Sequence, residues 1–414
     1  MKILMVNKYY FIKGGSERYL FDLKELLETN RHEVIPFAMK DENNFNSPYN
    51  EYFVDHVDYN SKFSLKNLRD AGRLIYSFHA RKKIEALIET NKPDVAHLHM
   101  IDHQISPSIL HSLRKYKIPT IQTVHQYKLI CPNYRCYHEL KAEICEKCLD
   151  GKFYHAILTK CHKNSFMLSS LITVEAYVHK FLKSYHNIIG LFHTPSSFMK
   201  QMLIRGGIDS EKVEHHFLIT WLDQFPFSPI YEDYFVYLGR LSPEKGVLTL
   251  LKAMIDVKRS KLLIVGDGPQ RAGLESFAKK NTIKNVEFVG YKNKQEVKDI
   301  MSHASFSVIP SEWYENSPLV IYEAFSMGKP VIGAAIGGIT EFIESDKDGL
   351  HFTPGDERQL ANCINMLLDD RDRISEMGKN AREKAEKNFS PEEHYKWILR
   401  IYERVISNQK NSAN

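Results

Sequence analysis

Four charged residues in the second half of the chain are spaced as ligand-binding groups: Arg240 and Lys245 in "GRLSPEKG", and Glu315 and Glu323 in "EWYENSPLVIYEAF". A guanidinium forks onto two phosphate oxygens while an ammonium supplies a point charge, so the pair in one short loop suits a diphosphate. Between the two glutamates, Ser317 and Pro318 mark a helix start, which predicts Pro318 in the first turn and Glu323 about two turns further on. The amides of Leu319 and Val320 then lie at a helix N-terminus, where unpaired N–H groups attract an anion. Taken singly, each feature also has an ordinary meaning: two solvated cations, a capping glutamate and an exposed one. A further anion candidate is "KGGSERYLF", where Gly14 and Gly15 permit close backbone approach before a helix. A double glycine is equally a plain tight turn. It is neither a Walker A loop nor G-x-G-x-x-G, so nothing here favours an ATPase or a dehydrogenase.

Positioning these residues requires strands that end beside them. The runs "KILMVN", "HEVIPFA", "DVAHLHM", "TIQTVH" and "IIGLFHTP" read as strands in the first half, and "FVYLGR", "KLLIVGDG", "VEFVGY", "FSVIP" and "KPVIGA" in the second. Helical spacing separates them, as in "SERYLFDLKELLET" and "QEVKDIMSHA". Repeated βαβ units of this kind predict an α/β protein with two Rossmann-like domains, each a parallel sheet covered on both faces. The 414 residues, 43% hydrophobic, suffice for both. The seam falls in "HHFLITWLDQFPFSP", giving domains 1–217 and 218–390, with 391–414 a capped amphipathic helix expected to pack back on the first domain. In such sheets ligands sit at the carboxyl ends of the strands, which is where the unusual residues cluster.

The ordered set "GGSE", "TVHQY", "GRLSPEKG", "GDGP" and E-x7-E resembles the retaining glycosyltransferases of family 4, over nearly the whole chain. That resemblance implies the GT-B fold, two Rossmann-like domains facing a central cleft. It implies transfer of a hexose-type sugar from a nucleotide-diphosphate sugar, with a UDP-sugar favoured, to a lipid-linked or growing glycan in bacterial surface polysaccharide synthesis. Glu323 would hydrogen-bond the ribose and Glu315 the donor sugar. Arg240 and Lys245, following Gly239, would clamp the diphosphate, helped by amides near Gly14, Gly15, Pro318, Leu319 and Val320. The base would rest near Gly290, and His125 would be the histidine beside the transferred sugar. Charge gathering on the leaving phosphate can be stabilised by fixed cations and helix N-termini, so no catalytic cofactor or metal is required. Two alternatives share parts of this pattern: a GT-B-like nucleotide-sugar 2-epimerase, and a non-catalytic nucleotide-sugar-binding protein.

The first 215 residues carry 30 Lys and Arg against 23 Asp and Glu, and 15 of the 19 histidines. In "HLHMIDH", alternation puts His97 and His99 on one side of a strand, which suits an acceptor-facing role better than a metal site. Five of the six cysteines fall in an insertion at about 131–165. Cys131, Cys145, Cys148 and Cys161 can be drawn as a structural zinc site; free thiols and disulfides are the alternatives. Two features suit an anionic membrane surface or a phosphate-linked lipid, although both also read as ordinary helix faces: the basic set Lys62, Lys66, Arg69, Arg73, Arg81, Lys82 and Lys83, and the stretch "SFMLSSLITVEAYVHKFLKSY". No apolar run is long enough to cross a membrane, and the opening lacks a signal-peptide pattern, so the expected location is cytoplasmic, at most peripheral to the inner face of the membrane. Nothing suggests a nucleic-acid partner.

Overall fold

The structure, a computed structural model, describes residues 1–56 and 72–411. Chain contacts divide it into two compact units, the first formed by Met1–Cys136, Cys145–Ile219 and Glu392–Asn414, the second by Tyr137–Ile144 and Thr220–Pro391. The seam thus lies two residues beyond the expected 217, and the cysteine-bearing insertion is divided between the units.

The short antiparallel hairpin of β5 (Tyr137–His138) and β6 (Glu143–Ile144) counts with the second unit and follows in sequence four strands of the first, β1 (Lys2–Val6), β2 (Glu33–Phe37), β3 (Val95–Leu98) and β4 (Thr120–Thr123). With β7 (Leu191–Thr194) and β8 (Val213–His215) those four build a parallel sheet in the order β2-β1-β3-β4-β7-β8. Ile3, Leu4, Val6, Ile35, Val95, Leu98 and Ile121 are fully buried, the mark of strands covered on both faces.

The second unit repeats the plan with β9 (Tyr234–Leu238), β10 (Lys261–Val265), β11 (Val286–Gly290), β12 (Ser307–Ile309), β13 (Val331–Ala334) and β14 (Gly349–Phe352). Its order, β11-β10-β9-β12-β13-β14, is that of a doubly wound nucleotide-binding sheet. The ten strand-like runs of the sequence all form strands. Besides the two-residue hairpin strands β5 and β6, the strands missed are β8 and β14, which occupy the same edge position in the two parallel sheets. One is three residues long and carries Glu214 and His215, and the other opens on Gly349, so neither shows an apolar run.

Strand order reverses between β1 and β3 in one sheet and between β9 and β12 in the other. Loops leaving adjacent strands at such a point diverge and open a crevice. The last helix, Pro391–Asn411, belongs to the first unit from Glu392 onward and buries Ile398, Ile401 and Tyr402 there.

Candidate active site

The loops after β9 and β12 carry the predicted charged residues of the second unit to one switch point. Lys245 Nζ donates to Glu315 Oε1 at 2.6 Å, and Ser311 Oγ donates to the same oxygen at 2.7 Å. Burial alone would raise the Glu315 carboxyl, but Lys245 and the Ser311 hydroxyl outweigh it and hold the pKa below the ordinary carboxylate range. Glu315 is therefore a buried, ionised acceptor with a cation attached. Backbone contacts fix the loops: Glu312 N donates to Glu244 O at 2.9 Å and Gly338 N to Glu315 O at 2.7 Å.

Gly246 explains why the loop ends in glycine. Its φ is +65°, and a Cβ there would lie 1.8 Å from Pro310 O, at the end of β12. Gly266, just after β10, has φ +138° and would set a Cβ 1.9 Å from the carbonyl oxygen of Gly239, which follows β9. The strand ends under the predicted diphosphate site are thus packed backbone against backbone. Arg240 is exposed beside this floor, and its carbonyl accepts a hydrogen bond from the Tyr237 hydroxyl at 2.9 Å.

The helix after Glu315 spans Leu319–Ser326, with Pro318 as its N-cap residue at ψ 114° rather than in its first turn. Glu323 consequently sits in the second turn, closer to the N-terminus than expected, and is 7% exposed. Ile321, Tyr322, Ala324 and Phe325 form the buried face of this helix. Leu319 and Val320 supply the first two amides, as anticipated from the Ser-Pro signal. Gly290 closes β11 with φ +79°, followed by Tyr291, which is 82% exposed. Ser311 was not recognisable from sequence, because only the fold turns its hydroxyl onto Glu315.

In the first unit the switch point between β1 and β3 joins three predicted features. Gly14 is the N-cap of the helix Gly15–Thr29, and both glycines are exposed. Asn7, at the end of β1, accepts from Met100 N at 3.1 Å and donates to Glu17 Oε1 at 3.3 Å, tying this loop to the one after β3. His125 follows β4, partly exposed, with its Nε2 3.0 Å from His99 Nδ1. Burial lowers its pKa to about 3, so the ring is neutral. His97 and His99 stack at 4.6 Å on one side of β3 but are 0% and 2% exposed, which removes them from an acceptor-facing role.

The cysteines form no disulfide. Cys131, the first of the predicted zinc ligands, shares a thiol hydrogen bond with Cys136, which lies outside that set. Burial raises the Cys148 and Cys161 thiols, and the nearby thiols of Cys131 and Cys145 add to the rise in both; among the described residues no three His, Cys, Asp or Glu side chains are grouped closely enough to hold a metal ion. Of the basic set, Lys62, Lys66 and Arg69 lie outside the described residues. Within it, Arg81 bonds Tyr76 and Ser112, and Lys83 donates to Glu51 O, so these cations serve the fold.

Two doubly wound units, each with a helix N-terminus or charged loops at the reversal of its sheet, define a GT-B protein. Residues 13–215 match the family profile described as Glycosyltransferase Family 4, and residues 224–384 match Glycosyl transferases group 1. The chain belongs to these glycosyltransferases, a family 4 domain followed by a group 1 domain. An uncharacterized glycosyltransferase of Methanocaldococcus jannaschii is 24% identical over 98% of this chain and 99% of its own length. Sucrose-phosphate synthase from Thermosynechococcus elongatus superposes with a TM-score of 0.72 at 21% identity, covering 98% of this chain and 99% of the other. HepE from Anabaena, solved in complex with UDP, gives 0.66 at 17% identity, with 98% and 100% covered.

Proposed function

We propose that this glycosyltransferase moves a hexose-type sugar from a nucleotide-diphosphate sugar, with retention of configuration and without a catalytic metal. The observation that carries this is the ion pair between half-buried Lys245 and buried Glu315 at the switch point ahead of the helix Leu319–Ser326. A sugar leaving a diphosphate moves negative charge onto the leaving phosphate. Arg240, Lys245 and the amides of Leu319 and Val320 are preorganised positive groups for that charge, and acting without reorganisation they lower the barrier most where charge is greatest. Glu315, kept ionised, accepts hydroxyl protons of the sugar, and Glu323 accepts from the ribose. His125 gives the transferred sugar a further hydrogen bond.

A UDP-sugar is the favoured donor, a choice supported by the complex of HepE with UDP. The acceptor is a lipid-linked or growing glycan, and the role is surface polysaccharide assembly. In the first unit a cavity of about 270 Å³, lined by Lys128, Phe153, Glu175, Tyr185 and Arg205, offers the mix of apolar and polar walls a glycan needs. The helix Phe166–Phe181 exposes Phe166, Met167, Val174, Tyr177 and Phe181, with Lys160, Lys163, Lys180 and Lys183 exposed around it. This combination suits contact with an anionic bilayer. Among the described residues no helix is long and apolar enough to cross a membrane.

Calorimetric titration with UDP, GDP, ADP and their sugars, without added metal, tests the donor assignment. One nucleotide should bind clearly, and Arg240→Ala and Glu323→Ala should each weaken it. If none binds to the intact enzyme, or if Glu323→Ala leaves the affinity unchanged, the assignment of these residues is wrong.

A further inference from the structure

Several buried histidines of the first unit lie in short hydrogen-bonded chains whose proton positions can be worked out from their fixed ends. His193 Nε2 lies 2.8 Å from the carbonyl oxygen of His216, which can only accept, so Nε2 carries the proton. His193 Nδ1 is then the acceptor for Thr123 Oγ1 at 3.0 Å. Having donated its one hydrogen, Thr123 Oγ1 must accept from His97 Nε2 at 2.7 Å, which leaves His97 Nδ1 to accept from the Tyr402 hydroxyl at 2.8 Å. His394 Nδ1 donates to Phe217 O at 3.0 Å by the same logic, and its Nε2 accepts from the Tyr19 hydroxyl at 2.9 Å. Burial keeps these rings neutral, so each has one N–H.

His99 and His125 are the remaining pair. Their rings stack at 5.3 Å with a 15° interplanar angle, and Tyr19 packs edge-on against both at 5.8 Å. In the contact between His99 Nδ1 and His125 Nε2, one nitrogen donates and the other accepts. His99 Nε2 is buried and has no partner among the described residues. A proton there would be an orphaned donor in the interior, the rarer and costlier defect.

We infer that His99 is a positioning residue: it donates from Nδ1–H to His125 Nε2, and thereby makes His125 present Nδ1–H, a hydrogen-bond donor, to its ligand. This rests on the assignment of His125 to the donor-sugar site and goes beyond it by fixing which atom acts and what holds it. His125 then binds an oxygen lone pair of the substrate and does not serve as a base through Nδ1. With Nε2 already engaged, the ring cannot flip without breaking the 3.0 Å contact.

The test is the two-bond ¹H–¹⁵N correlation pattern of intact, ¹⁵N-histidine-labelled protein, with His99→Phe and His125→Phe used to assign the signals. His125 should show a protonated Nδ1 and an acceptor Nε2 in the unsubstituted protein. A protonated Nε2 on His125 in the unsubstituted protein overturns the inference. His99→Asn, whose amide N–H can replace Nδ1–H, should retain the His125 pattern. His99→Phe should lose it and lower kcat by about tenfold to a hundredfold, as removal of a partner that orients a functional histidine does elsewhere. Equal kcat in His99→Phe and His99→Asn also counts against the role. If His125→Phe is fully active, the site assignment fails instead, while the tautomer result stands by itself.

Discussion

Arg240 and Lys245 carry the same charge in different surroundings, and their substitutions should separate accordingly. Arg240 is exposed, so Arg240→Ala is expected to lower kcat by about a hundredfold to a thousandfold, the cost of one charge-stabilising donor, with an unchanged melting temperature. Lys245→Met should lose as much activity and also stability, because it leaves the buried Glu315 carboxylate without its cation. Thermal melts beside steady-state kinetics check both; equal melting temperatures would refute the structural half. Lys329 offers a different test. Its side chain is fully buried, donates to Ser228 O at 2.9 Å and Ile230 O at 2.5 Å, and burial lowers its pKa to about 7. An unfolded lysine titrates near about 10.4, so between these values the unfolded chain binds more protons and stability rises with pH. Below about pH 7 the penalty of charging the buried amine applies in full. Denaturation midpoints at pH 6.5, 8 and 9 should therefore show a rise that Lys329→Met lacks, and parallel curves would refute it.

At the scale of elements, the site depends on how closely the ends of β9, β10 and β12 approach. Gly246→Ala forces a positive φ on a residue with a Cβ and drives that atom into Pro310 O. The left-handed conformation alone costs roughly 1–2 kcal/mol, so the variant should be destabilised by at least that much in urea titrations, with donor binding weakened as Lys245 shifts. Gly273, in the helix Arg271–Lys280 with open space around it, is the control: Gly273→Ala should be neutral or slightly stabilising. The helix Lys294–His303, with its capping box between Asn293 and Glu296, needs no such support from tertiary contacts for its start.

For the whole molecule, the exposed stripe of the helix Phe166–Phe181 gives a measurable prediction. Vesicles containing anionic lipid should pellet the enzyme and neutral vesicles should not, with binding weakened by salt. Phe181, 86% exposed, and Phe166 should each contribute about tenfold, as expected for burying an aromatic side chain, so the double change to serine abolishes pelleting. Pelleting that persists in the double variant would move the contact elsewhere.

Five strands in each unit, the helix before which Glu315 lies, the G-R-x4-K loop and the family itself were legible in the sequence. Apolar period, a Ser-Pro start and short-range spacing are local properties, and local properties need no fold to be read. What only the tertiary structure decided is long-range. Strand order put the loops after β9 and β12 side by side, so that Lys245 and Ser311 meet on one oxygen of a residue far from the lysine in sequence. Packing withdrew His97 and His99 from solvent and turned His99 toward His125. Contacts across the sheet are set by strand order and burial, which no window of adjacent residues contains.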